Sequence, residues 1–130
     1  MRNGADNQVE NLKILIVEDD ETSELFLSTV LKIYSQIFLK VRTGIEAVEA
    51  CRNNPDLDLV LMDILIPDID GYEATRQIRQ FNKDVFIIAQ TAFGLEGDRE
   101  KALESGCNDY ISKPISIDVL NGLIQKHFSK

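Results

Sequence analysis

The chain has 130 residues, of which 44% are hydrophobic and 28% are charged, a composition typical of a single globular domain. Its formal net charge of −8 argues against direct nucleic-acid binding, which needs basic surface to neutralise phosphates. The two cysteines are too few for a disulfide scaffold, and no apolar run is long enough to span a membrane. We therefore predict a cytoplasmic protein without membrane insertion.

Apolar, strand-like runs alternate with helix-like segments along the chain. Residues 1–11 are predicted to form a frayed N-terminus, and residues 12–130 to form one domain. The alternation predicts an α/β fold with a parallel sheet and helices on both of its faces. The strand-like runs are KILIV (13–17), IFLKV (37–41), DLVLM (58–62), VFIIAQT (85–91) and DYIS (109–112). The helical segments are 21–35, 45–53, 72–80, 95–105 and a last one beginning near Ser116.

Apolar residues at helical spacing predict which face two of these helices bury. In the first helix these residues are Phe26, Val30 and Ile33. A glycine after the fourth helix, Gly106, is a predicted C-cap. In the last helix the predicted buried residues are Ile117, Leu120, Ile124 and Phe128.

The first strand runs directly into four consecutive acids, Glu18 to Glu21. Carboxylates roughly 4 Å apart repel by about 1 kcal/mol in water, and by several at a lower effective dielectric. The side chains must therefore either spread into solvent or surround a positive group.

Polar side chains also follow the other predicted strands. Asp63 ends the third strand, Thr91 ends the fourth, and Lys113 follows the fifth, while Glu18 and Asp19 follow the first. In open parallel sheets, ligands bind outside the carboxyl ends of the strands. Each of these residues alone is an ordinary loop or strand residue. Three acids, a hydroxyl and an ammonium at one edge together indicate a functional site.

Phosphoryl transfer to a carboxylate is the chemistry that needs this set of groups. Asp63 is the candidate nucleophile, which would form an aspartyl phosphate. Oxygens of Asp19 and Asp63 suit Mg²⁺, or Mn²⁺ in its place, and Glu18 would act mainly through a bound water. Lys113 and the Thr91 hydroxyl would hold the phosphoryl oxygens that the metal leaves free.

The segments ILIVEDD, LMDILIPDIDGYEATRQIR, IIAQTA and DYISKP resemble the receiver domain of two-component response regulators. The resemblance covers about residues 12–128. It implies a flavodoxin-like, doubly wound sheet of five parallel strands in the order 2-1-3-4-5. By the family pattern, Asp63 is the phosphoacceptor and Glu18 and Asp19 are its acid pair. Thr91 and Lys113 match the hydroxyl and the lysine that sense the phosphoryl group.

The same resemblance implies further roles. The backbone carbonyl of Leu65 would complete the metal site, Tyr110 would be a rotating switch, and the bond before Pro114 would be cis. Leu65 and Phe93 occupy the two variable positions that flank the site. Neither side chain can hydrogen-bond a water, so we predict a slowly hydrolysed phosphoryl group and assign these residues to its lifetime.

Two positions depart from the usual family pattern. Ile66 replaces the methionine that usually precedes the proline, a volume-conserving change that we expect to be neutral. Gln90 stands before Thr91, where an apolar residue is usual, and predicts a looser end of the fourth strand. Neither change removes a group that the reaction requires.

The resemblance implies a signalling receiver rather than an enzyme with a separate substrate. The implied partner is a sensor histidine kinase or a histidine phosphotransfer protein. The surface of the fourth helix, fifth strand and fifth helix would carry the output or a homodimer contact. Whether the chain is a stand-alone regulator or the receiver of a hybrid kinase stays open.

Three other functions are alternatives to this one. A phosphatase of the haloacid dehalogenase type also uses an aspartate nucleophile, but it would place that aspartate where Glu18 stands. A nucleotide or flavin carrier needs a first loop that attracts phosphate, and this one is acidic. A pseudo-receiver, acting only as an interaction module, would not need the complete set of groups that the chain retains.

Overall fold

Five strands and five helices alternate along the part of the chain described by the computed structural model, residues 9–92, 94 and 96–129. The strands are β1 (Lys13–Val17), β2 (Ile37–Val41), β3 (Leu59–Asp63), β4 (Phe86–Thr91) and β5 (Asp109–Ser112). The helices are α1 (Glu21–Leu31), α2 (Gly44–Asn53), α3 (Gly71–Arg79), α4 (Asp98–Ser105) and α5 (Ile117–Phe128).

All neighbouring strands pair in parallel, in the order β2-β1-β3-β4-β5. This order confirms the predicted flavodoxin-like fold. β2 and β3 pair with opposite edges of β1, so the strand order reverses at β1. At such a reversal a crevice opens at the carboxyl edge of the sheet, here above β1 and β3. β3 and β4 are buried along their whole length because helices cover both faces of the sheet, which explains their continuous apolar sequences.

The two faces of the sheet carry separate apolar clusters. One cluster packs α2, α3 and α4 against residues such as Val60 and Ile87. The other packs α1 and α5 against residues such as Ile16 and Ile88. Because side chains alternate between faces along a strand, each strand contributes to both clusters and holds its end in place from two sides.

The buried face predicted for α1 is wrong for two of its three residues, while the third, Val30, is partly buried against the apolar cluster. Phe26 and Ile33 are 39% and 65% exposed, whereas Leu27, Leu31 and Tyr34 are almost completely buried. The buried residues have the same i, i+4, i+7 spacing, displaced by one position. The helix ends at Leu31, so Tyr34 reaches the core from the turn that follows.

The prediction for α5 is partly confirmed. Leu120 and Ile124 are fully buried and Phe128 packs against the same cluster, but Ile117 is 47% exposed in the first turn. Gly106 follows α4 in the left-handed conformation, with φ of 112°, as its predicted role as a C-cap requires.

At the N-terminus, residues 1–8 of the segment predicted to fray lie outside the described residues. Val9 and Leu12 are buried in the cluster under α1 and α5, and the Leu12 N–H donates to the carbonyl of Tyr34 at 2.8 Å. Among the helices that the structure describes, none is long and apolar enough to cross a membrane.

Candidate functional site

Three carboxylates converge at the carboxyl edge of the two central strands. Val17 pairs with Met62, so the next residues along β1 and β3 bring Glu18 beside Asp63. One oxygen each from Glu18, Asp19 and Asp63 lies within 4.8 Å of the other two. Glu18 and Asp63 are only 3% exposed, which makes their mutual repulsion stronger than at an open surface.

The positive group among these acids is Lys113. Its Nζ lies 3.0 Å from Oδ2 of Asp63 and 3.4 Å from Oε1 of Glu18. Its backbone N–H donates to the Thr91 carbonyl at 2.8 Å, which helps to hold it there. The peptide bond between Lys113 and Pro114 is cis, in agreement with the resemblance. The lysine therefore offsets part of the repulsion among the three carboxylates.

The four consecutive acids divide into two roles. Glu18 and Asp19 face the site, whereas Asp20 caps α1 by accepting from the Ser23 N–H at 2.8 Å. Glu21 is exposed in the first turn of α1, where a negative charge complements the helix dipole. Part of the acidic cluster thus spreads outward, and only two of its members add charge beside Asp63.

The electrostatics of the site favour a cation. Burial, followed by the nearby charge of Asp63, raises the pKa of Glu18 to about 7, and the opposing effect of Lys113 does not cancel them. Desolvation alone would lower the pKa of Lys113. The hydrogen bond and charge of Asp63, together with Glu18, outweigh it and raise the pKa above its usual value. One ammonium thus leaves the three-acid cluster with excess negative charge.

These acids fit a hard divalent cation. Carboxylate oxygens are the ligands that Mg²⁺ prefers, and Mg²⁺ keeps several waters when only a few protein ligands are present. Asp19 is partly exposed, which leaves room for such waters. Its backbone carbonyl accepts from Nη2 of Arg42 at 2.7 Å, a contact that fixes the β1–α1 loop and that the sequence does not predict.

Asp63 is held by the loop between β3 and α3. Its Oδ1 accepts from the Leu65 N–H at 3.1 Å, while the Leu65 side chain is 59% exposed. Gly71 packs against the same loop, and its N–H donates to the Ile64 carbonyl at 2.9 Å. A Cβ on Gly71 would lie 2.5 Å from the Asp63 carbonyl oxygen and 2.8 Å from Cα of Ile64.

Gly71 therefore positions the candidate nucleophile, a role that the sequence does not predict. The sequence does contain a sign of this role. Gly71 is the first residue of α3, and the N-cap formed by Asp70 does not by itself require a glycine there.

Thr91 and Gln90 carry buried polar groups at the end of β4. Thr91 is 3% exposed, and its hydroxyl has no hydrogen-bond partner among the described residues. The predicted loosening of this strand by Gln90 is wrong, because β4 continues to Thr91 and Gln90 pairs with Asp63 and Ile111. Phe93, assigned to the lifetime of the phosphoryl group, lies outside the described residues.

Tyr110 lies on β5, half-buried against the apolar cluster under α4. It borders a shallow cavity of about 290 Å³ together with Ser112, Pro114, Ser116 and Val119. The structure thus places this tyrosine at the surface between β5 and α5, three residues before Lys113.

Comparison with known proteins agrees with this geometry. The family model of the response regulator receiver domain matches residues 14–125. The chain is 38% identical over 131 residues to hybrid signal transduction histidine kinase B of Dictyostelium discoideum, covering 90% of this chain but only 7% of the kinase.

Two solved structures are also similar. The first is the co-crystal structure of the Saccharomyces cerevisiae histidine phosphotransfer protein Ypd1 and the receiver domain of Ssk1. It matches with a TM-score of 0.85 and 32% sequence identity, and the match covers 92% of this chain and 90% of that chain. The second is the receiver domain of sensor histidine kinase PA1611 from Pseudomonas aeruginosa PAO1, with a magnesium ion in its active-site cleft. It matches with a TM-score of 0.78 and 37% sequence identity, and the match covers 89% of this chain and 96% of that chain. The chain belongs to the response regulator receiver domain family, the receivers of two-component signal transduction.

Proposed function

We propose that Asp63 accepts a phosphoryl group from a phosphohistidine and that Lys113 and Thr91 stabilise it there. The observation that carries this proposal is the buried Asp63 carboxylate in contact with the Lys113 ammonium, 3.0 Å away, inside a cluster of three acids. Aspartate carboxylates are among the side chains that form covalent intermediates as nucleophiles, including aspartyl phosphates.

The reaction balances without any further reagent. A bond forms between phosphorus and an Asp63 oxygen as the bond between phosphorus and the donor imidazole nitrogen breaks. The electron pair of the broken bond stays on that nitrogen, and the proton on the other ring nitrogen of the donor makes the leaving group a neutral imidazole. Lys113 turns from the carboxylate to an oxygen of the transferred group, and the Thr91 hydroxyl, which lacks a partner among the described residues, donates to another.

Glu18, Asp19 and Asp63 would hold Mg²⁺, with the Leu65 carbonyl as a further ligand. The ion supplies positive charge that neutralises the transferring phosphoryl oxygens and the acids themselves. The support is the donor set: hard oxygens, close together and short of positive charge.

The proposed output is the surface of α4, β5 and α5. Movement of Thr91 towards a phosphoryl oxygen vacates space next to β5, into which the half-buried Tyr110 ring can turn. The cavity beside Tyr110 would change shape as a result, and with it the surface offered to a partner or a second copy. The available energy is the difference in contact with the phosphoryl group, so the change is a shift between existing states.

The partner implied by this chemistry is a sensor histidine kinase or a histidine phosphotransfer protein, as in the complex of the Ssk1 receiver with Ypd1. We extend the proposal to the cytoplasm as the site of action. Cys51 and Cys107, which are buried free thiols, agree with a reducing compartment.

Leu65 has a side chain that cannot position a water, so a Leu65→Asn variant should lose its phosphoryl group faster than wild type.

Labelling with acetyl phosphate and Mg²⁺ tests the function. The protein should gain one phosphoryl group and then stop, whereas Asp63→Asn should gain none. Asp68→Asn, which changes an exposed acid of the same loop, is the matched control and should label like wild type. Continuous turnover of phosphate monoesters would instead favour a phosphatase, and labelling of Asp63→Asn at the wild-type rate would exclude Asp63.

A further inference from the structure

We propose that Gln90 is a specificity-determining residue for the protein that delivers the phosphoryl group. Its buried amide lies at the floor of an apolar groove beside Lys113, where it hydrogen-bonds a polar side chain that a helical phosphohistidine protein inserts. The inference rests on the proposed function, because it concerns the donor to Asp63.

The groove lies between α1 and the segment that connects β5 to α5. Its volume is about 420 Å³, and most of its lining surface is apolar. Its apolar walls are Phe26, Leu27, Pro114 and Ile115. Its polar lining comes from Thr22, Ser23, Gln90 and Lys113.

Gln90 is the unusual member of this lining. It follows Ile88 by two residues on β4, so its side chain points to the face covered by α1 and α5. It is 1% exposed, and neither Nε2 nor Oε1 has a hydrogen-bond partner among the described residues. A buried amide without partners costs free energy that an apolar side chain would not. Such a group needs an explanation, and a partner that arrives on binding provides one.

The position of the groove identifies the occupant. Lys113 belongs both to the groove and to the acidic site, so whatever fills the groove lies next to Asp63. On α1 and the turn that follows it, Leu25 and Ile33 are each 65% exposed, and the Phe26 side chain is 39% exposed.

This apolar stripe is too long for a small phosphodonor but suits a helix lying across α1. A helical protein that carries a phosphohistidine covers the stripe and brings its imidazole to Asp63 in one arrangement. The Phe26 side chain belongs both to this stripe and to the wall of the groove, so a helix on the stripe also covers the groove that Gln90 lines.

The test compares a protein donor with a small donor on the same variants. Phosphorylated Ypd1, a histidine phosphotransfer protein, serves as the protein donor and acetyl phosphate as the small donor, each with Mg²⁺. For each variant, the rate of transfer from Ypd1 is divided by the rate of labelling by acetyl phosphate. Gln90→Met keeps the length of the side chain and removes the amide. Gln80→Met, the same substitution at an exposed position after α3, which packs on the other face of the sheet, is the matched control.

For Gln90→Met we expect this ratio to fall at least fivefold, through a higher KM for Ypd1, while Gln80→Met stays within twofold of wild type. The free Gln90→Met protein should also unfold at a higher urea concentration, because the unpartnered amide is gone. An unchanged ratio, including one in which both rates fall together, would overturn the inference. No transfer from Ypd1 to wild type would overturn the occupant, while labelling by acetyl phosphate would leave the proposed function standing.

Discussion

Nζ of Lys113 lies 3.0 Å from Oδ2 of Asp63, although 50 residues separate them in the chain. The contact joins the ends of β3 and β5, which are not neighbours, because β4 lies between them. At the end of β4, which lies between them, the Thr91 carbonyl accepts the Lys113 N–H at 2.8 Å and so ties the lysine to the intervening strand. The ends of β3, β4 and β5 thus form the site together.

The first prediction concerns Glu18 in protein freed of metal. Its pKa is about 7 in the folded protein and 4.5 ordinarily, so the folded state holds a proton that the unfolded chain has released between these values. The contribution of Glu18 to stability must therefore fall as the pH rises from about 4.5 to 7. Glu18→Gln removes this penalty. It should be more stable than wild type at pH 8 by about 1 to 2 kcal/mol, less than the full shift implies because solvent reaches one side of the site.

Urea denaturation in EDTA at a series of pH values measures this difference. The advantage of the Gln variant should shrink steadily below pH 7 and disappear near pH 4. A stability difference that does not change with pH would show that the Glu18 carboxyl ionises normally.

The second prediction concerns the metal. Asp19→Ala should weaken Mg²⁺ binding at least tenfold and more than Glu18→Ala does, because a direct ligand contributes more than a group acting through water. Glu21→Ala, which removes an exposed acid of the same run, is the control and should bind almost normally. Isothermal titration calorimetry gives the three affinities, and equal affinity of wild type and Asp19→Ala would remove Asp19 from the site.

The third prediction separates phosphorylation from its output. Thr91→Val keeps the side-chain volume but lacks the hydroxyl, so it should still accept a phosphoryl group on Asp63 without pulling β4 towards it. The NMR signals of Tyr110 should then stay at their unphosphorylated positions, and Thr91→Ser should restore their shift. A full Tyr110 response in the valine variant would mean that the switch does not pass through this hydroxyl.

The fourth prediction concerns the support of Asp63. Gly71→Ala places a Cβ against the Asp63 carbonyl and should destabilise the protein by about 2 kcal/mol while slowing labelling. Gly122 is the matched control, since it lies within α5 and a Cβ added there would meet no atom within 4 Å. There, alanine should stabilise by up to about 1 kcal/mol. Chemical denaturation of the two variants would contradict this account if their effects had the same sign.

The sequence was sufficient to predict the sheet and the location of the site. Continuous apolar runs indicate buried parallel strands, and the order of elements along the chain then places Glu18, Asp63 and Lys113 at the same edge. These conclusions depend only on strand ends, which the sequence marks sharply.

The orientation of α1 could not be predicted because this helix has apolar residues on two faces. The stripe with Phe26 and Ile33 and the stripe with Leu27 and Leu31 have similar spacing, and only packing against the sheet decides between them. The exposed stripe borders the groove that Gln90 lines. The apolar residues that the core leaves uncovered are therefore the ones proposed to contact the donor protein.

The roles of Gln90 and Gly71 escape the sequence for a related reason. They come from neighbours that are distant in the chain: the groove walls such as Phe26 and Pro114 around Gln90, and the Asp63 carbonyl against the missing Cβ of Gly71. A single sequence records the residue type at such positions but not what approaches it.

The most direct test of the central claim is to locate the phosphoryl group itself. Protein labelled by acetyl phosphate with Mg²⁺ can be reduced with borohydride, which converts an aspartyl phosphate to homoserine, and then digested and sequenced by mass spectrometry. We predict conversion at position 63 alone, with Asp19 and Glu18 unchanged. Conversion at another carboxylate, or a stable label that resists borohydride, would contradict the assignment of Asp63 as the acceptor.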